Sequence, residues 1–565
     1  MRTNTPAFDA WMQAPNKRPR LVAEFLFPTP KYLTSHDDVI GLPPADTLAA
    51  TRLEAPWGDH ELKPLQARSL IGRLQLTAID AGGVISTMLR DQEAAGQGLK
   101  GTLVRLWRGG PDINFADYRL EATQRVEDTV SNEFSRYRFQ CQDIQRGLRR
   151  ELFDVVSSRM AADMPAEGAG ADTLVLYDAA DFEPCDHLPS FTVQPSGSHY
   201  FFKISDSGRF EYVRADVKTG NTFTGISRGQ FGTAAVDWEI PEDADEDNSI
   251  EVTQLVYLEA PAPAMLYALL TGEYPGGAGT IPSNWSLGFS TADIDADAFA
   301  AAGEDLFDDT DYSRGLILRA LDVERTEGKT FLEREILRLT GLYMPPLPDG
   351  RLTLRRMPSI GRDADYHVLL DNSSWISHRG LSHDLAQIRN RFELSWAYRR
   401  FPGMEQPKYF RTLTLIDAVS ESRHGEQPTE KYQFKLLNND RHTDSTLQSR
   451  FNFLRDLKAG PPLKLELTVP PELDDIEVGD VVRVVDRHTR DYQNDDTLRR
   501  SMLVTRRRVD MANGAVTLSL FGSARRADPQ ADPNANVVGF ELPDAAYDAI
   551  ATNLTDYPGV MLTND

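Results

Sequence analysis

The sequence lacks most of what marks an enzyme, a secreted protein or a membrane protein. Its 565 residues include two cysteines, Cys141 and Cys185, and neither sits in a CxxC pair. A disulfide framework is therefore excluded. Long apolar runs are missing too. The longest, around Met265–Leu270, falls far short of the ~20 residues needed to cross a bilayer. The opening MRTNTPAFDAWMQAPNKRPR has no apolar h-region, so no signal peptide is expected. The chain is expected to be made in a cytoplasm and to stay soluble until assembled. Positive charge is in deficit: 61 Lys and Arg stand against 85 Asp and Glu, a net charge of −24. That argues against gripping nucleic acid by neutralising phosphates, which takes a clustered basic surface. A like-charged wall past which DNA slides is compatible with the balance.

Catalytic signatures are also absent. There is no HExxH, no GxSxG elbow and no GxxxxGK[ST] loop. Ser196-Gly197-Ser198-His199 is a Ser/His neighbourhood, but adjacency along a chain says little about triad geometry. His378 and His383 are five apart, the wrong spacing for two metal ligands on one helical face, and they read as surface or turn positions. With so many carboxylates a glycosidase-like pair has candidates everywhere, and none stands out. Asp293, Asp295, Asp297 and Glu304 fall at positions 1, 3, 5 and 12 of a calcium-loop template, with Ala298 where the loop needs glycine. Asp243, Asp245 and Asp247 begin in the same way without a closing glutamate. The plainer reading of both stretches is solvated acidic loops. Arg228, Gly229 and Gly232 could line a ligand loop; a tight turn using glycine's φ freedom is the simpler account. No catalytic, cofactor-binding or metal residue is assigned, and no cofactor is expected.

What is present is ordinary globular composition, 41% apolar and 26% charged, at a length that predicts about three to five domains. The most regular stretch runs from Asp444 to Gly522. Leu447, Phe451, Leu454 and Leu457 line one face of a helix that Asp444 can cap and Gly460-Pro461-Pro462 ends. Leu463, Leu465, Leu467 and Val469 then alternate with Lys464, Glu466 and Thr468, a half-buried strand. Ile476–Val485 and Leu503–Val509 are two more strands, and Asn513-Gly514 predicts a hairpin turn with φ > 0 at both positions, returning through Val516, Leu518 and Leu520. Arg506, Arg507 and Arg508 alternate on their strand, and a salt bridge between subunits, to the acid-rich segments, is preferred over DNA contact.

Upstream, a short strand is expected at Leu21–Leu26, another over SLIGRLQLTAID, a helix at Val84–Leu89, and strands at Gly101–Gly109, Tyr118–Val130 and Phe134–Gln140. Ile144, Leu148, Leu152 and Val155 predict a helix over Asp143–Met160. Residues 161–185 read as a linker or exposed loop, and Phe201–Trp238 as an independent β insert. Pro263–Thr271 is a short helix. Thr330 and Glu333 form a capping box for a helix closed by Gly341, followed by a turn at Pro348-Asp349-Gly350. Two strands follow in 383–422.

Several of these stretches carry a resemblance. LQSRFNFLRDLKAGPP, LKLELTVPPELDDIEVGDVVRVVD and SMLVTRRRVDMANGAVTLSLFG resemble the last hub domain of the tail-tip proteins of long-tailed (siphovirus) phages, lambda tip protein-like. LQLTAID, STMLRD, GTLVRLWRGG, YRLEATQRVEDTV and YRFQCQDIQRGLRRELFD follow the order of the first hub domain. PAMLYALLT, and the helix before PDGRLTLR, resemble the third. SRGQFGT resembles a stretch of related tail structural proteins. Some members of the family hold an iron–sulfur cluster, which takes several thiolates; two cysteines speak against one here.

The resemblance implies an α+β, mostly β fold of several small β-rich modules with short helices and tail-tube-like hub domains. It divides the chain into an N-terminal arm (1–60), a first hub domain (61–165), an inserted β domain (166–260), a third hub domain (261–410), a last hub domain (411–525) and a C-terminal tail (526–565). The implied role is that of a structural component of the phage tail tip or baseplate. The chain would be a central hub joining tail tube to tip and closing the DNA channel until ejection. The implied partners are two further copies in a homotrimer, distal tail and other tail-tip proteins, the tape-measure protein, and separate fibre or receptor-binding proteins, with DNA only as passing cargo. The alternative is a tail-associated cell-wall hydrolase; a nucleic-acid adaptor is a third reading.

Overall fold

The computed structural model describes residues 4–523 except 15–17, 45, 49–50, 55–56, 65–67, 72–73, 81, 133–135, 188–196, 207, 243–248, 306–315, 359, 361–365, 400–407, 438–442, 492–495 and 512. The fold is α+β and mostly β, with several sheets and few helices. Among the described residues no helix is long and apolar enough to cross a membrane.

The expected N-terminal arm is instead part of a sheet. Leu21, Val22, Ala23 and Phe25 are all buried, so the strand Arg20–Phe25 is covered on both faces. The order across this first sheet is Lys31–Thr34, Arg20–Phe25, Leu103–Gly109, Arg119–Asn132, Arg136–Gln142, Leu74–Asp80 and Thr51–Glu54, each neighbouring pair antiparallel. Laid flat, seven strands would span about 29 Å. Yet the Leu48 N–H donates to the Tyr32 carbonyl on one edge strand at 3.0 Å, and Thr51 already belongs to the other. Three residue steps reach about 11 Å, so the sheet curls until its edges meet. The aspartate that ends LQLTAID has a mechanical reason: Asp80 accepts the N–H groups of Ile85 and Ser86 at 2.8 and 3.1 Å, capping the helix Val84–Ala94. Burial alone would raise the Asp80 carboxyl; these donors outweigh it and hold it below the ordinary range.

The C-terminal sheet follows the alternation read from the sequence. Leu463, Leu465, Leu467 and Val469 are buried in the strand Pro462–Val469. The order is Val368–Asp371, Val481–Asp491, Asp496–Asp510, Val516–Ser523, Pro462–Val469 and Ser377–His383. Strand Trp57–Lys63, from near the start of the chain, pairs with the far half of Asp496–Asp510, Arg506 opposite Glu61. Leu21, Phe25, Leu76 and Val104 of the first sheet share one continuous core with Leu465, Leu467, Val482, Met502 and Leu518 of the last. The first and last sheets therefore fold as one body. The turn at Asn513-Gly514 is wider than predicted. Only Gly514 has positive φ (76°), and the Asp510 N–H bonds the Ala515 carbonyl at 2.9 Å, which makes a longer loop than a two-residue hairpin.

Between these sheets lie two further modules. The insert is built from Ser157–Arg159, Thr173–Val175, Cys185–His187, Gly197–Ser205, Phe210–Ala215, Val217–Thr219, Thr222–Thr224 and Glu251–Gln254. Residues 161–185 belong to it: Met164, Leu174, Leu176 and Phe182 are buried in its own core with Phe202, Val213 and Trp238. Four apolar residues spread among small acidic ones hid that role. The central module surrounds the helix Ala262–Thr271, buried along nearly its whole length and stopped by Gly272 at φ 90°. It includes the antiparallel pair Arg391–Arg399 and Lys408–Ile416.

The helix expected over 143–160 is not one. A 3-10 turn, Ile144–Arg149, gives way to the strands Glu151–Leu152 and Ser157–Arg159. Phe153 takes φ 60°, which a helix cannot continue through, and packs its ring on Phe331 at 5.1 Å. Leu148 and Leu152 are buried as the pattern required; tertiary packing chose a different backbone to bury them. The helix expected to open at Thr330 starts at Gly328, and the Thr330 hydroxyl donates to Glu327 at 2.6 Å. Gly328 lets the helix start lie close to its neighbours, since a Cβ there would lie 2.6 Å from Leu287.

Candidate functional site

Two features stand out where the modules meet, and the first is a buried cluster of charge. Arg108 and Arg119 with Glu121 come from neighbouring strands of the first sheet, Arg507 from the last sheet, and Asp474 from the turn after Pro471–Leu473. All five are at most 4% exposed. Glu121 accepts from Arg108 Nε at 2.7 Å and from Arg119 Nε and Nη2 at 3.0 and 2.7 Å. Asp474 accepts from Arg108, Arg119 and Arg507 together, and its carbonyl takes Arg507 Nη2 at 3.0 Å. Burial pushes the Asp474 carboxyl up, but the three guanidiniums outweigh it and hold it below the ordinary carboxylate range. The ring of Phe8, on the helix Pro6–Met12, covers the cluster with Arg119 4.8 Å from its centroid. This node joins the two ends of the chain electrostatically where the shared core joins them by burial. The sequence held one signal for it. Arg507 shares a strand face with buried Val509, and a charge on an apolar face calls for a buried partner.

The second feature is the strand Ser377–His383, which ends the order of the last sheet and is exposed along both faces, with only Leu381 half-buried. Ile376 and Leu385, at its two ends, are 65% and 63% exposed. Tyr366 and Leu369, by the opposite edge strand, are 40% and 42% exposed. Four of the seven large apolar side chains exposed among the described residues thus fall within twenty residues of sequence, two at each end of the sheet order.

The residues singled out in the sequence are not brought together. Ser198 and His199 are consecutive on a strand and point to opposite faces: Ser198 bonds Asp186, and His199 Nδ1 meets Asp216 at 2.9 Å. Ser196 lies outside the described residues. His378 and His383 are both exposed on Ser377–His383. Arg228 clasps Glu211 at 2.7 and 2.6 Å, Gly229 N–H reaches the same carboxylate at 2.9 Å, and Trp238 Nε1 does so at 2.9 Å. The loop is an internal knot, with Gly229, Phe231 and Gly232 all at positive φ. Asp293 ends a 3-10 turn, and Asp297 and Glu304 lie in the helix Ala296–Asp305, so they do not share a calcium loop. Asp295 accepts the Thr353 hydroxyl at 3.0 Å. Asp243, Asp245 and Asp247 lie outside the described residues. Among the described residues no group of three His, Cys, Asp or Glu is placed to hold a metal. The salt bridge expected between subunits is corrected for two of the three arginines: Arg506 pairs with Asp59 of the same chain at 2.8 Å and Arg507 with Asp474. Both cysteines are buried, and burial pushes the thiols up, that of Cys141 to about 12.

Among the buried groups that reasoning from sequence missed besides the node is His187. His187 is 3% exposed, and neither ring nitrogen has a hydrogen-bond partner. It packs against Phe201 and Tyr257 at 5.2 and 5.1 Å, at the seam between the insert and the central module. Burial pushes its imidazole down to about 4.

No protein-family model matches the chain, and no curated protein matches it by sequence. Solved structures do. The prophage tail protein gp18 from Listeria monocytogenes EGD-e aligns at 11% identity and a TM-score of 0.27, covering 61% of this chain and 96% of its own. The tail protein from Neisseria meningitidis MC58 aligns at 12% and 0.25, covering 60% and 96%. A PdpA–VgrG complex, lidless, aligns at 8% and 0.34, covering 92% of this chain and 66% of that one. The solved structures to which this chain is similar are thus phage tail proteins and a VgrG complex.

Proposed function

We propose that the chain is a structural component of a phage tail tip or baseplate. It is the central hub, located in the virion, joining the tail tube to the tip and keeping the DNA channel closed until ejection. Three copies stand around a common axis, in contact with distal tail and tail-tip proteins and with the tape-measure protein, and receptor binding is left to separate fibre proteins. The order of hub-like stretches along the sequence supports this reading. The observation that carries it is the union of the first and last sheets: they share a core and a buried charge node, making one block. Such a block suits mechanical work between copies. Imaging the purified full-length assembly tests it. Threefold rings are expected. A stable monomer that is absent from particles and clears peptidoglycan in a zymogram would overturn it in favour of the wall hydrolase.

A further inference from the structure

The helix Thr443–Lys458 carries a charge on its apolar face. Arg450 lies three residues after Leu447 and four before Leu454, the spacing that sets helical side chains side by side. Leu447 and Leu454 are buried in the central core with Phe451 and Tyr432, and Arg450 is buried with them, 3% exposed. Its Nε and Nη2 have no hydrogen-bond partner among the described residues. Burial pushes the guanidinium down to about 10, still well above neutral pH, so the charge stays. A buried charge calls for a partner.

What surrounds Arg450 compensates in part. The ring of Phe453 lies 4.8 Å away. Gly341, which closes the helical run from Gly328 at φ 72°, brings a helix C-terminus alongside, and a Cβ there would lie 3.7 Å from Arg450 Nη1. Neither supplies an anion. The carboxylate facing Arg450 is Glu430, and it is already engaged. Lys458 Nζ donates to both of its oxygens, and the Tyr432 hydroxyl donates to Oε1 at 2.9 Å. Arg338 brings a second guanidinium, 4.1 Å over the Tyr432 ring, and its buried Nε also has no hydrogen-bond partner among the described residues. Arg389, which faces Lys458, donates through Nη1 to the carbonyls of Ala386 and Ile388.

Lys458 balances Glu430, which leaves the charges of Arg338 and Arg450 over, in a chain whose net charge is −24. We propose that a divalent oxyanion of the phosphate class binds between Arg338 and Arg450, with Arg450 Nε and Nη2 donating to two of its oxygens, as a guanidinium fork does. Two surplus charges match a divalent anion better than a single carboxylate. Arg338 is half-buried and gives the anion its way in from solvent. Arg450 is nearly closed off, which favours a small free anion over the backbone of a nucleic acid. The proposal does not depend on the tail-hub reading.

Equilibrium dialysis of the full-length chain against radiolabelled inorganic phosphate, at fixed ionic strength, tests it. A single saturable site per chain is expected, with a rise in Tm that saturates over the same range, and acetate should not replace phosphate. Arg338→Gln, at a half-buried position, and Arg450→Met, which keeps an unbranched side chain without its charge, should each weaken binding about tenfold or more. In phosphate-free buffer Arg450→Met should unfold at no lower a temperature than the parent, because it removes an unpaired buried charge. Binding that both variants retain overturns the proposal, as does the lack of saturable binding by the parent. Equal protection by acetate would assign the site to a carboxylate, and displacement of the label by an oligonucleotide would assign it to a nucleic-acid backbone. Either result overturns the free-phosphate reading. Threefold rings that bind no phosphate would refute this site and leave the hub reading standing.

Discussion

Asp474 is the residue on which the two ends of the chain depend. It is the acceptor shared by Arg108, Arg119 and Arg507, and removing its charge takes one carboxylate from three buried guanidiniums. Asp474→Asn should cost about 3–5 kcal/mol in denaturant unfolding, the usual cost of breaking a buried pair. Arg506→Ala, which breaks the solvent-exposed pair with Asp59, should cost about 0–1 kcal/mol. Equal losses from the two would mean that burial is not what gives the node its strength. The sign with pH follows from the depressed carboxyl: the node contributes fully above the unfolded value of about 4 and fades as pH falls below it. His187 acts in a higher window. Its imidazole is held near 4 against about 6.5 unfolded, so folding keeps it neutral and stability is lost as pH drops from about 6.5 toward 4, by about 3 kcal/mol. The groups facing it, His199, Glu259, Asp186 and Arg214, remain in His187→Leu. The difference in Tm between that variant and the parent across pH 7 to 4 therefore isolates the ring, and parallel curves would refute the assignment.

At the scale of elements, the glycine of IEVGDVV shows how a motif becomes geometry. Gly479 has φ 97°, and a Cβ there would fall 1.9 Å from the Tyr343 hydroxyl of the central module. Gly479→Ala should lose about 1–3 kcal/mol from backbone strain and more from the clash. Tyr343→Phe in the same chain should recover part of the second loss, seen as coupling in a double-mutant cycle; simple additivity would show that the two do not meet. Elements with a strict period were legible in the sequence: Leu463–Val469 alternates and is half-buried as read, and Pro263–Thr271 is helical. The misreadings have a common cause. In 143–160 the spacing of Leu148 and Leu152 fitted a helix, yet Phe153 had to reach Phe331, and the backbone turned through φ 60° to let it. Residues 20–34 read as an arm because the neighbouring strand of Arg20–Phe25 in the sheet lies some eighty to ninety residues downstream.

For the whole molecule, the decisive fact is which parts share a core. Val156 and Gln254, at the two ends of the insert, are joined by a hydrogen bond of 2.8 Å, and the insert has its own core. Replacing residues 157–254 by a short Gly/Ser linker should leave a folded, soluble protein with a lower Tm, as Tyr257 loses its aromatic neighbours Phe201 and Phe231. Removing 462–523 should leave no cooperative unfolding transition, because the first sheet loses half of its core; a folded remnant would refute the single body. The sequence by itself determined the class of the fold, the strands with a two-residue period and the absence of the familiar catalytic motifs, because composition and periodicity are local properties. Only the tertiary structure decided that the first and last sheets close on one another and that Arg507 faces inward to Asp474. Those depend on which surfaces meet, and no window of sequence contains both partners.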